Sequence, residues 1–157
     1  MAFYQLEKTQ TIPAGIDEVW SFISSPANLK HITPVYMGFE IINTIPEKMY
    51  PGMIISYKVS PLLGIKVKWV TEITHIKEKE YFIDEQRIGP YSMWHHQHKI
   101  TPIKAGVLMT DIVTYKPPFG LLGALSNKVF IKKQLNEIFN FRKRATENRF
   151  ANSKTNI

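Results

Sequence analysis

The chain has 157 residues, 44% hydrophobic and 21% charged, which suits one soluble domain of ordinary composition. It contains no cysteine, and this excludes a disulfide scaffold, a thiolate metal site and a cysteine nucleophile. Its net charge of +7 comes without any helix-turn-helix, zinc-finger or RNP pattern, so the clusters Lys66/Lys68, Lys132/Lys133 and Arg142/Lys143/Arg144 read as solvated faces and no nucleic acid is expected.

In chain order, the opening MAFYQLEKTQ lacks the charged-then-apolar pattern of a signal peptide. No apolar run reaches the roughly 18 residues of a membrane span, so a cytoplasmic protein without stable membrane insertion is expected. Phe3–Ile12 alternates as a first strand and stops at Pro13. Ile16–Ile23 has the spacing of a short amphipathic helix. Ser25-Pro26 then reads as an N-cap with proline in the first helical position, opening a second short helix to Ile32.

Six strands follow, predicted over Met37–Asn43, Met53–Val59, Ile65–Ile76, Tyr81–Ile88, Ser92–Thr101 and Val107–Tyr115. Gly89-Pro90-Tyr91 is the hairpin signal between the fourth and fifth of these. After Pro117-Pro118, the stretch Phe119–Phe150 is the longest helical pattern, starting late because of Gly120 and Gly123. At 100° per residue, Leu121, Leu125, Ile131, Leu135, Ile138, Phe139, Arg142 and Ala145 fall on one broad side of it. Residues 1–150 read as one domain and 151–157 as a flexible tail.

The functional signal lies between Phe82 and Tyr115. With period two, Phe82, Asp84 and Gln86 share one strand face, and Trp94, His96, His98 and Ile100 share the next. Met109, Asp111, Val113 and Tyr115 form a third set. Acids and imidazoles among Trp, Phe, Met and Tyr are costly unless each finds a hydrogen-bond partner, a water or a ligand. A partly polar cavity is the economical reading. The element order supports it, because a curved sheet and a straight helix do not pack flush.

Along this order stand PAGIDEVWSFI from Pro13, SPANL from Ser25, Ile32-Thr33-Pro34, FIDEQ from Phe82, GPY from Gly89, WHHQH from Trp94, DIVTY from Asp111, PFGLLG from Pro118 and IFNFR from Ile138. With these motifs, over nearly its whole length, the chain resembles the START-like helix-grip superfamily, also called SRPBCC, and within it the bacterial polyketide cyclase/dehydrase and lipid-transport group. The resemblance implies an α+β helix-grip fold: about seven antiparallel strands curved round a long C-terminal helix, with two short helices after the first strand. It implies an internal pocket but no shared catalytic motif, since members include carriers, receptors, cyclases and ring-hydroxylase components.

The candidate wall of that pocket is Trp69, Phe82, Asp84, Gln86, Trp94, His96, His98, Met109, Asp111, Tyr115, Leu135, Phe139 and Arg142. Arg142 either binds an acidic group in the cavity or snorkels to its rim. His96, His98 and Asp111 are the candidates for acid–base work. His96 and His98 with Asp84 or Asp111 would also suit a metal, but no third histidine is within reach, and neither metal nor cofactor is expected. His95, on the opposite face, reads as exposed. The preferred function is non-enzymatic binding of a small hydrophobic ligand, such as a lipid or polyketide-like metabolite. A cyclase/dehydratase using His and Asp is the alternative, and a homodimer is left open.

Overall fold

A computed structural model describes residues 3–62 and 64–152. Seven antiparallel strands form one curved sheet: β1 (Tyr4–Ile12), β2 (Glu40–Ile41), β3 (Met53–Leu62), β4 (Ile65–Lys77), β5 (Tyr81–Ile88), β6 (Met93–Ile103) and β7 (Gly106–Lys116). The spatial order is β1-β7-β6-β5-β4-β3-β2, so β2 to β7 are a meander and the first strand joins the last. Register irregularities at Val70/Thr71 and Ile73/His75 interrupt the β4–β5 ladder, the local device by which a strand bends. The tight β6–β7 turn needs Gly106, which has φ 129° and whose Cβ would meet the Ile12 carbonyl at 2.2 Å.

Helix α1 (Ile16–Ile23) buries Val19, Trp20 and Ile23, the apolar positions that its spacing predicts. The second short helix covers Pro26–Ile32 as expected, but it is a 3-10 helix and Ser25 caps it without a side-chain hydrogen bond. The strand expected over Met37–Asn43 shrinks to Glu40–Ile41. Its first residues are drawn into a 3-10 turn (Val35–Met37) that ends on Gly38 in the left-handed conformation.

The C-terminal helical stretch begins at once, at Gly120, rather than late. It runs as α2 (Gly120–Ser126), a π-helical turn (Asn127–Ile131) and α3 (Lys132–Asn152). A π-turn adds a residue to the helical repeat and rotates what precedes it. Leu121 and Leu125, expected on the buried side, are therefore 90% and 60% exposed, whereas Ile131, Leu135 and Phe139 are buried. Ala151 and Asn152 continue α3, and the rest of the expected tail lies outside the described residues.

Two apolar clusters fill the space between sheet and helices. One joins α1 to Ile55, Ile73, Phe82, Ile100 and Met109. The other joins Ile131, Leu135 and Phe139 to Trp69, Tyr91, Trp94, Val113 and Tyr115. Along β6 the inward row passes from Trp94 in one cluster, through His96 and His98, to Ile100 in the other. A polar belt thus separates two hydrophobic halves.

Candidate functional site

The belt is set by strand register. Asp84 lies opposite His96, and His98 lies between Phe82 on one neighbour and Asp111 on the other. Alternation turns all five inward, and His96, His98 and Asp111 are each only 4% exposed. The two imidazoles lie against each other with centroids 3.7 Å apart and planes tilted by 37°, and Phe82 stacks on the far side of His98 at 4.0 Å. Each carboxylate then spans both rings. Asp111 Oδ1 is 3.0 Å from His96 Nε2 and 3.0 Å from His98 Nδ1. Asp84 Oδ2 is 2.7 Å from His98 Nε2 and 3.5 Å from His96 Nδ1.

This geometry separates the two histidines chemically. Both nitrogens of His98 face carboxylate oxygens at hydrogen-bond distance, so both carry protons and the ring is an imidazolium. Burial works against that charge, but hydrogen bonds and charge from Asp111 and Asp84 outweigh it and raise the pKa above its ordinary value. His96 makes one hydrogen bond, to Asp111. Burial and the neighbouring His98 charge lower its pKa to about 4, so the ring is neutral near pH 7. Burial favours protonation of both acids, yet the imidazoles overcome it. Asp111 is held well below the carboxylate range and Asp84 is lowered in the same sense.

A cavity of about 140 Å³ opens on this belt, walled by β3 to β6, the 26–39 connection and α3. Nine of the expected residues line it: Trp69, Phe82, Asp84, Trp94, His96, His98, Leu135, Phe139 and Arg142. Arg142 takes the inward alternative, with Nη1 3.8 Å from Asp111 Oδ1 and the guanidinium over the Phe139 ring. The other four expected residues lie elsewhere. Asp111 stands one layer behind the imidazoles, and Met109 is packed in the α1 cluster, where its sulfur accepts from Gln10 Nε2. The Tyr115 hydroxyl donates to Asn127 Oδ1 at 2.8 Å and ties β7 to the π-turn. All three belong to β7, which contributes no residue to the cavity lining; the gap falls against β3 to β6.

Gln86 is also displaced from its expected role. Its amide donates to the Tyr91 carbonyl at 2.7 Å and accepts from the Tyr91 N–H at 3.2 Å, clamping the β5–β6 loop. His95 does face outward, but it is partly buried and paired with Glu85 at 3.0 Å. Residues that the sequence reasoning missed complete the wall, chiefly Tyr57, Thr71, Tyr91, Met37 and Phe39. Tyr57 alternates with Ile55 and Val59 on β3, a signal that was available. Tyr91 reads in sequence as a turn residue. Folded, it joins Tyr57, Trp69 and Trp94 in an aromatic box with centroid separations of 4.9 to 6.0 Å.

Among the described residues, Asp84, His96 and His98 bring three potential metal donors within 4.8 Å of one another. The side-by-side placement of the two rings opposes chelation. Two rings 3.7 Å apart, each spanning the same pair of acids, direct their lone pairs side by side, whereas ligands of a tetrahedral ion converge on it. A first-row ion would require the rings to splay.

No protein-family model and no curated protein matches the sequence. Solved structures do. Protein Ms6760 from Mycobacterium smegmatis is similar at TM-score 0.69 and 15% identity, over 95% of this chain and 92% of that one. Ara h 8.0201 is similar at TM-score 0.67 and 13% identity, over 96% and 99%. The ginseng major latex-like protein 151 from Panax ginseng is similar at TM-score 0.66 and 13% identity, over 94% and 97%. At such identities the likeness is one of architecture, and it agrees with the strand order and terminal helix described above. The chain therefore has the helix-grip fold: a curved antiparallel sheet closed by a long C-terminal helix.

Proposed function

We propose that the protein binds a small hydrophobic ligand with a polar head group, as a carrier or sensor, through one binding domain formed by residues 1–150. The observation that carries this reading is the union, in one cavity, of an aromatic box and a hydrogen-bonding belt. Ligand sites are mostly apolar with a few convergent polar groups. A dry cavity of about 150 Å³ accepts a benzene ring, so a space of about 140 Å³ suits one ring or a short chain. A lipid with long chains needs the 26–39 connection to move aside. Burying apolar ligand surface contributes roughly 25 cal/mol per Å².

Trp69 and Trp94 line the cavity, so tryptophan fluorescence reports occupancy directly. Titration with toluene or indole-free aromatic ketones is expected to change the emission saturably, and native mass spectrometry to retain one ligand per chain. A linear, non-saturating response across such a set excludes the reading.

Catalysis is the second reading, favoured by one observation. Asp84 is held ionised at the cavity wall, with the His98 imidazolium bonded to it. Such a pair offers a base and an acid for cyclisation or dehydration of a polyketide-like carbonyl compound. Turnover that disappears in Asp84→Asn while ligand is still bound supports it. Among the described residues no helix is long and apolar enough to cross a membrane. A cytoplasmic protein, active as a monomer or a homodimer, is the setting we propose.

A further inference from the structure

The polar wall of the cavity carries information about the ligand's head group; the inference rests on the binding function proposed above. Four charges meet in the belt. Asp84 and Asp111 are carboxylates, while His98, with a carboxylate at each nitrogen, and Arg142 are cations. The belt is therefore electrically balanced before any ligand enters. A net charge brought against this belt would have no uncommitted counter-charge, and charges taken out of water are costly unless paired.

The belt nevertheless has hydrogen-bonding capacity left over. Arg142 has a side chain only 13% exposed, and its contact with Asp111 is 3.8 Å, beyond hydrogen-bond range. Its guanidinium donates no hydrogen bond to any described residue, although the group has five N–H donors. Asp84 accepts from His98 through Oδ2 alone, and among the described residues nothing donates to its Oδ1. Both side chains line the cavity. Arg142 is close enough to Asp84 to contribute to the lowered pKa of that carboxyl. A donor fork and an acceptor oxygen therefore face the same space.

We propose that the ligand is an uncharged, ring-sized molecule whose head carries a hydrogen-bond acceptor for Arg142 beside a donor for Asp84, as in a hydroxy-carbonyl compound, and that the site discriminates against carboxylic acids and amines. A carboxylate would satisfy Arg142 but face the Asp84 and Asp111 charges. An ammonium would satisfy Asp84 but face Arg142 and His98. The hydroxy-carbonyl head serves both wall groups and leaves the balance intact.

The test is a calorimetric and fluorescence titration of the whole protein with five probes of one ring size: toluene, acetophenone, α-hydroxyacetophenone, benzoate and benzylamine. The expected order places α-hydroxyacetophenone first, at least about tenfold tighter than toluene because two hydrogen bonds involve charged groups. Benzoate and benzylamine come last. Arg142→Met is expected to bring the ratio of α-hydroxyacetophenone to toluene affinity close to one, with circular dichroism as the check on folding. Asp84→Asn is expected to reduce the preference for α-hydroxyacetophenone over acetophenone, and it decides the matter if Arg142→Met does not fold. Benzoate or benzylamine binding more tightly than α-hydroxyacetophenone overturns the inference. So does toluene binding with no gain for any head group, a result that leaves the cavity's binding role standing. Failure of every probe, toluene included, overturns the binding role as well.

Discussion

At the residue scale, the adjoining histidine pair shows how one environment assigns two roles to the same side chain. His98 has an acid at each end and holds two ring protons, while His96 has one good partner and stays neutral, keeping the single N–H it donates to Asp111. Asp111 is the common partner, so Asp111→Asn leaves a buried imidazolium and a nearby guanidinium short of a counter-charge. A loss of about 3–5 kcal/mol is expected in urea unfolding. Asp84, with a 16% exposed side chain, is expected to cost less when changed to Asn.

The signs of the pKa shifts also predict a pH profile. His96 has a folded pKa depressed from 6.5 to about 4, so its contribution is present above pH 6.5 and is lost as pH falls toward 4. The lowered Asp84 and Asp111 add a further loss below the unfolded value of 3.8. His98 is raised, so its contribution is full below 6.5 and is lost as pH rises through its folded value. Stability from this network should peak near pH 6.5. Chemical denaturation across the range checks it, and His98→Gln should remove the alkaline decline.

At the element scale, the π-turn decides which parts of the C-terminal helix meet the sheet. Asn127 within it is 3% exposed and accepts from the Tyr115 hydroxyl, fixing the helix to β7. Tyr115→Phe removes that donor and leaves the Asn127 oxygen buried without it, a change expected to cost about 1–3 kcal/mol. Leu121→Lys, on the solvent side of α2, is expected to stay within about 0.5 kcal/mol of the parent. Thermal melts of the two variants compare these effects. A large loss from Leu121→Lys would mean that α2 packs its leucines after all. The β5–β6 hairpin has a similar logic. A Cβ on Gly89 would lie 2.3 Å from Gln86 Oε1, so the glycine permits the amide clamp that presents Tyr91 to the cavity.

At the scale of the whole molecule, the cavity is a packing defect produced by a bent sheet beside a straight helix, and it should respond to filling. Val59 is 3% exposed and lines the cavity. Val59→Phe is expected to keep or raise the melting temperature while lowering the affinity for ring-sized probes by at least about tenfold, the usual opposition of stability and function. Calorimetry on one preparation measures both.

The order of elements, the strands β3 to β7 and the inward setting of His96, His98 and Asp111 were all legible in the linear pattern. Period-two alternation and turn chemistry are local properties, which the chain carries with it. The short β2, the π-turn and the clamp made by Gln86 were not, because each depends on neighbours distant in sequence. Alternation could say which face a side chain occupies. It could not say that the cavity opens against β3 to β6 and not β7, which left Met109, Asp111 and Tyr115 behind the wall and brought Tyr57 and Tyr91 into it. The residue pattern by itself determined that acids and imidazoles would be buried among aromatics. Which of them face a ligand, and which hold a proton, was decided only when curvature and register set their distances.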